Sequence, residues 1–186
     1  GFGVNGQPLL TDSSNNPFLE GGLPSLNFGI TGTGKGGAGD VVDFPDAPLG
    51  SSIFAVSRLK SIAASVHYLT WDIADAPGGL FVGGSSGSIT GRGYTAANAV
   101  KMQGGGEPLT RQLTTYLGGT EKKIYANGIL IADAADKSYS DQYIETIGRS
   151  NFSANSYVQE IISYPTAMTS ERALIESNIN SYYSIY

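Results

Sequence analysis

Cysteine is absent from these 186 residues, and histidine and tryptophan occur once each. Without thiols there is no disulfide, no thiolate zinc site and no cysteine nucleophile, and the redox compartment stays open. A lone His67 gives zinc too few nitrogen ligands. Charge is scarce as well: Lys, Arg, Asp and Glu make up 15% of the chain, against about 25% in an ordinary globular protein. The net charge of −5 argues against nucleic acid as a partner, because a phosphate-tracking face needs surplus Lys and Arg. No apolar run approaches the roughly 20 residues that span a bilayer, so membrane insertion is not expected. Residues 1–10 have neither the basic start nor the apolar stretch of a signal peptide. The chain opens on GFGVNGQPLL without a methionine, which reads as a processed or truncated edge.

What is abundant is glycine, 26 residues, about double its usual share. With 11 Tyr and 40% hydrophobic residues, this suits a cored domain of short strands and tight turns. The length fits a single domain over residues 1–186. The strongest local signal lies in LTRQLTTYLGGTEKKIYANGILIA, residues 109–132. Asn127-Gly128 between two apolar β-formers predicts a two-residue hairpin, since both residues tolerate positive φ. Folding about it would pair Ala126 with Ile129 and Ile124 with Ile131 on one face, and Tyr125 with Leu130 on the other. Leu113, Thr115 and Leu117 alternate with Gln112, Thr114 and Tyr116, so a third strand joins the meander through Gly118-Gly119.

Along the rest of the chain, QPLLT (residues 7–11) and Pro24–Phe28 read as short strands, the first ended by the turn formers Asp12 to Pro17. Gly29–Asp40 is a glycine-rich loop. Ser52–Lys60 carries apolar residues on both faces, the mark of a central strand. Val66–Asp72, Leu80–Gly83 and Ser88–Thr90 are further strands, separated by Asp75–Gly79 and Gly83–Gly87. A loop around Gly104–Gly106 leads into the meander, and Tyr143–Gly148 and Tyr157–Tyr164 follow it. A helix closes the chain, capped by Thr169 or Ser170, with Glu171 in its first turn and an apolar stripe of Ile175, Ile179, Tyr182 and Tyr186. Regular strand spacing with turns between points to a β-sandwich.

Several of these pieces together resemble the laminin-G-like, concanavalin A-like jelly-roll family. They are RQLTTYLGGTEKKIYANGILIADA, then ETIGRS, then YVQEIISYPTAMTSERALIESNINSYY. The lead-in QPLLTDSSNNPFLEGGLPSLNF and the strand SSIFAVSRLK are similar to the version found in tailed-phage and marine-virus structural proteins. The resemblance implies an all-β, antiparallel two-sheet jelly-roll sandwich with a C-terminal α-helix packed on it. It also implies a virion surface domain, in capsid decoration or in a tail or fibre, associating with other virion proteins or with copies of itself.

Each chemical constellation has a plainer reading beside it. GITGTGKG (residues 29–36) nearly spells a phosphate-binding loop, but Gly36 stands where a Ser or Thr should hold Mg²⁺, and no helix former follows. Family members can be glycosidases, which need two carboxylates about 5–9 Å apart. No two acids here are two residues apart, and Asp40/Asp43/Asp46, Asp72/Asp75, Asp133/Asp136 and Asp141/Glu145 all sit in or beside expected turns. His67 shares a strand face with Leu69 and Trp71, and no G-x-S-x-G surrounds any serine, so packing outweighs a triad. Asp72 and Asp75 can hold Ca²⁺ as in some laminin-G relatives, though turn capping by acids is the default and no cofactor is expected. Asn151-Phe152-Ser153 is a glycosylation acceptor by pattern. Trp71, Arg92 and Tyr94 are the candidate glycan contacts: two rings to stack a sugar face and a guanidinium for its hydroxyls, with Tyr94 in the loop GRGYT. Core packing of Trp71 is the alternative.

The expectation is a non-catalytic virion surface domain that stabilises the particle or attaches it weakly to glycans. A carbohydrate-binding module of a bacterial surface or secreted protein is the alternative, and a glycoside hydrolase comes third.

Overall fold

The computed structural model describes the backbone of residues 19–20, 22–28, 41–48, 52–59, 66–73, 76–82, 89–94, 99–104, 109–118, 123–133, 143–148 and 156–186. It describes side chains for residues 22–26, 52–58, 109–118, 123–133 and 157–186. The strands in chain order are β1 (Leu19–Glu20), β2 (Leu23–Pro24), β3 (Leu26–Phe28), β4 (Val41–Pro48), β5 (Ser52–Leu59), β6 (Val66–Ile73) and β7 (Ala76–Val82). They continue as β8 (Ile89–Tyr94), β9 (Ala99–Gly104), β10 (Gln112–Leu117), β11 (Lys123–Ala126), β12 (Ile129–Asp133), β13 (Tyr143–Gly148) and β14 (Ser156–Tyr164), before helix α1 (Arg172–Tyr183). The protein is therefore mostly β with a C-terminal helix. β1 and β2 form a small hairpin. One larger sheet runs β12-β11-β10-β5-β14-β3 and the other β4-β13-β6-β7-β8-β9. Their paired strands are antiparallel, and β9 passes close to β11 and β12.

β5 is central, as its two apolar faces require. It pairs with β10 on one side and β14 on the other, and Ser52 to Ser57 are all buried. Phe54 and Val56 face α1, together with Leu113, Ile162 and Tyr164, and the helix returns Ile175, Ile179 and Tyr183 to that cluster. Phe54 meets Tyr164 edge to face, with ring centroids 5.9 Å apart, a favoured geometry for aromatic quadrupoles. The opposite face, with Ile53, Ala55, Thr114, Tyr116, Ile124, Ala126 and Val158, is buried too.

The Asn-Gly hairpin forms as read, with Asn127 at φ 50° and Gly128 at φ 79°. Asn127 also extends the ladder: its N–H donates to the Leu113 carbonyl at 2.8 Å, and its Oδ1 accepts from the Leu113 N–H at 2.9 Å. Ala126 pairs with Ile129 and Tyr125 with Leu130, but a register shift then sets Ile124 opposite Ala132, not Ile131. A bulge of one extra residue reverses which residues share a face beyond it. The apolar tip is outward as well, with Ile129 68% exposed.

The helix differs from expectation at both ends. It starts at Arg172 with Glu171 in the N-cap position and no side-chain cap; the Ser170 hydroxyl bonds the Glu171 carboxylate instead. The inward stripe is a partly buried Ile175 with buried Ile179 and Tyr183, and Glu176 is buried beside it, whereas Tyr182 and Tyr186 are exposed. Spacing at i, i+4 and i+8 keeps those three on the face toward β5. Ser184 takes the left-handed C-cap conformation at φ 52° and its N–H bonds the Asn180 carbonyl. Asn180 then gathers the tail, its Oδ1 accepting from the N–H groups of Ile185 and Tyr186 at 2.8 and 2.9 Å.

In the second sheet β7 begins at Ala76, so Ala76–Gly79 belongs to a strand and not to a separating turn. β8 runs on to Tyr94, which places GRGY in a strand. β4 and β9 were not foreseen. β4 contains Pro45 and Pro48 and ends the strand order, where a missing N–H is tolerated. Asp43 and Asp46 consequently lie within a strand and not in turns, while Asp72 near the end of β6 and Glu145 in β13 fall in the strands read for them. The predicted QPLLT strand, the glycine-rich loop at 29–40, Asp75 of the calcium pair and the Asn151 acceptor lie outside the described residues. No described helix is long and apolar enough to cross a membrane.

Candidate functional site

A bulge in β14 creates the feature with most chemical character. Up to Val158 the strand follows β5 in simple register, and then Glu160 faces Val56 with Gln159 as the extra residue. That shift turns Glu160, Ile162 and Tyr164 toward the helix side of the sheet, in line with Val56, Phe54 and Ser52. Without it Gln159, Ile161 and Ser163 would occupy that face. The bulge thus delivers one carboxylate to the edge of an apolar seam.

The helix completes the site. Ile179 anchors it in the core, and Asn178, Ser181 and Tyr182 flank that anchor on the outer side. Together with Glu160 and Ile162 they line an open groove of about 460 Å³ between β14 and α1. Tyr182 stands 67% exposed and packs edge to face on Tyr183, with ring centroids 4.9 Å apart.

Tyr183 fixes the groove from below. Its pKa is pushed up to about 12 by burial first and by the nearby Glu160 charge second. Arg111 clamps the same residue from the sheet, donating to the Tyr183 carbonyl at 2.6 Å, with its guanidinium 5.9 Å from the ring centroid. A cation there also satisfies a helix C-terminal carbonyl. The result is a carboxylate, an exposed ring, an amide and a hydroxyl around an apolar floor. Such a mixture suits a small polyhydroxy ligand with one apolar face.

At the far end of the helix a second polar cluster is purely cohesive. The Arg172 guanidinium lies 3.9 Å from the Tyr125 ring centroid and is paired with Glu176. The Tyr186 hydroxyl reaches Gly128, 3.3 Å from where a Cβ would stand. These contacts dock the helix on the hairpin.

The three sequence candidates fall elsewhere. Trp71 lies in β6 opposite Gly78, Arg92 lies in β8 between Gly79 and Lys101, and Tyr94 ends β8 opposite Ala99. The second sheet brings them to neighbouring rungs, and their side chains are outside the described set. Glu160 was not singled out by the sequence, and Tyr182 only as part of a docking face. The bulge that orients Glu160 has no sequence signature.

No family profile matches this chain, and no curated protein matches it. Among solved structures it is similar to the CBM40 of Ruminococcus gnavus IT-sialidase bound to alpha2,3 sialyllactose. That likeness has a TM-score of 0.49 and 11% sequence identity, and it covers 76% of this chain and 98% of the other.

Proposed function

We propose that this chain is a non-catalytic carbohydrate-binding domain, built as a concanavalin A-like jelly-roll sandwich and presented at an extracellular or virion surface. The observation that carries this reading is the β14–α1 groove, where the exposed Tyr182 ring and the Glu160 carboxylate share one lining. A pyranose stacks its C–H face on such a ring while its hydroxyls donate to Glu160 and exchange hydrogen bonds with Asn178 and Ser181. The sandwich supports it physically: the face of the first sheet turned away from α1 is buried, and the six-stranded second sheet is the layer suited to cover it. Recognition is favoured over hydrolysis because Glu160 is the one carboxylate among the described groove residues, and glycosidic cleavage takes two.

Titration calorimetry against a panel of oligosaccharides tests this. Binding is expected at micromolar to millimolar strength, and Tyr182→Ala is expected to weaken it at least tenfold with an unchanged melting temperature, since the ring is mostly exposed. Binding that survives Tyr182→Ala but is lost in Trp71→Ala or Tyr94→Ala would move the site to the second sheet. Steady release of reducing ends would replace recognition with hydrolysis.

A virion role, which the lead-in resemblance implies, differs in assembly. The outward Ile129 and Leu130 of the β11–β12 hairpin favour it as a self-contact. A fixed oligomer in sedimentation that dissociates on Ile129→Lys would support that second reading.

A further inference from the structure

The turn that builds the β11–β12 hairpin is also its reactive point. We propose that Asn127-Gly128 is a site of spontaneous deamidation which the native hairpin suppresses, and that isoaspartate formed there releases the hairpin from α1.

An Asn followed by Gly is prone to this reaction because a glycine's backbone nitrogen is the least hindered nucleophile the next residue can offer. The Gly128 nitrogen bonds to Asn127 Cγ, the Cγ–Nδ2 bond breaks, and Nδ2 leaves as ammonia with the proton from that nitrogen. Water then opens the five-membered ring, giving aspartate by attack at Cγ or isoaspartate by attack at the backbone carbonyl. The fold blocks the first step twice. Asn127 and Gly128, at φ 50° and 79°, make a type I′ turn, in which ψ of the first residue is about +30°. The Gly128 nitrogen then lies across the Cα–C bond from Asn127 Cβ, whereas ring closure needs both on one side. The side chain is engaged as well: its Oδ1 accepts from the Leu113 N–H at 2.9 Å, while the Asn127 N–H donates to the Leu113 carbonyl at 2.8 Å. Reaction therefore waits on a local opening that breaks this rung.

The product does not fit the place it came from. Isoaspartate routes the main chain through Cγ and lengthens it by one methylene, so both bonds to Leu113 cannot re-form in register. It also puts a carboxylate beside Gly128, where the Tyr186 hydroxyl and Glu176 Oε2 lie 3.3 and 3.8 Å from the position of an added Cβ. Glu176 is buried and its Oε1 has no hydrogen-bond partner, so a further negative charge next to it is costly. The contacts that seat α1 on the hairpin are the ones disturbed.

The chain carries its own control, because Asn5-Gly6 repeats the pair. The full chain is incubated at mildly alkaline pH, native or unfolded in guanidinium, and deamidation at each pair is followed by peptide mapping with mass spectrometry. Unfolded, Asn127 and Asn5 are expected to react at rates within about threefold of each other. Native Asn127 is expected to react at least about tenfold slower than unfolded Asn127; a smaller ratio overturns the suppression. An Asn127 that stays intact in the unfolded chain while Asn5 reacts overturns the site itself. The isoaspartyl chain, purified by anion exchange and refolded, is then compared with Asn127→Asp, which adds the charge and keeps the main chain. Amide hydrogen exchange in α1 is expected to be at least about tenfold faster in the isoaspartyl chain, with β5 unchanged. Equal exchange in α1, or the same acceleration in β5, overturns the release.

Discussion

Asn127 does two jobs that a β-turn rarely asks of one residue. It accepts the positive φ of the hairpin, and its side chain completes the rung to Leu113 that Ala126 leaves open. Asn127→Gly keeps the backbone conformation and loses the side-chain bond, a cost of about 1 kcal/mol. Asn127→Ala loses the bond and adds left-handed strain, for about 2–3 kcal/mol in total. Urea unfolding of the two variants separates bond from strain, and equal losses would contradict this division. Ser184 is the reverse case: an L-residue at φ 52° where a helix C-cap ordinarily has glycine. Ser184→Gly is expected to stabilise the protein by about 0.5–1 kcal/mol in the same assay, and destabilisation would contradict it. Tyr183 sets the response to alkali. Its folded pKa of about 12 lies above the ordinary 10.0, so its protonated form is favoured on folding. That contribution is full below pH 10 and is lost as pH rises toward 12. Melting temperature followed from pH 9 to 12 should fall over that window, with a shallower fall in Tyr183→Phe. An identical slope in the variant would exclude Tyr183 as the source.

Among the elements, the legible ones were those whose local signal agreed with their tertiary setting. The Asn-Gly pair located the turn between β11 and β12, and apolar residues on both sides of Ser52–Leu59 marked a strand with neighbours on both edges. β13 and β14 fall where Tyr143–Gly148 and Tyr157–Tyr164 were read as strands. β4 and β9 were hidden because VVDFPDAP and AVKMQG hold proline, acids and glycine, which strands disfavour until pairing overrides propensity. The bulges were illegible for a different reason: one extra residue changes no pattern locally, yet it reassigns every side chain beyond it. The helix stripe was misread at Tyr182 and Tyr186, and since Tyr182 and Tyr183 are both aromatic, the seating of Ile175 and Ile179 on the sheet decides which of that pair is buried. The candidate site inherits all of this. Glu160 depends on a bulge, and Tyr182 depends on Tyr183 taking the buried position.

On the scale of the whole molecule, a body of antiparallel strands carries a helix laid over one sheet, and the proposed recognition groove lies in the seam between them. The seam is held from three directions: by Ile179 and Tyr183 in the core, by Arg111 from β10's leading edge, and by Arg172 on the hairpin. Such support keeps the groove's shape without a ligand, which is what a low-affinity module requires. The most direct test is to add a neutral oligosaccharide to isotopically labelled protein and follow the backbone amide resonances. The account predicts shifts concentrated at Glu160, Asn178, Ser181 and Tyr182; shifts centred on Trp71, Arg92 and Tyr94, or none at saturating sugar, would contradict it.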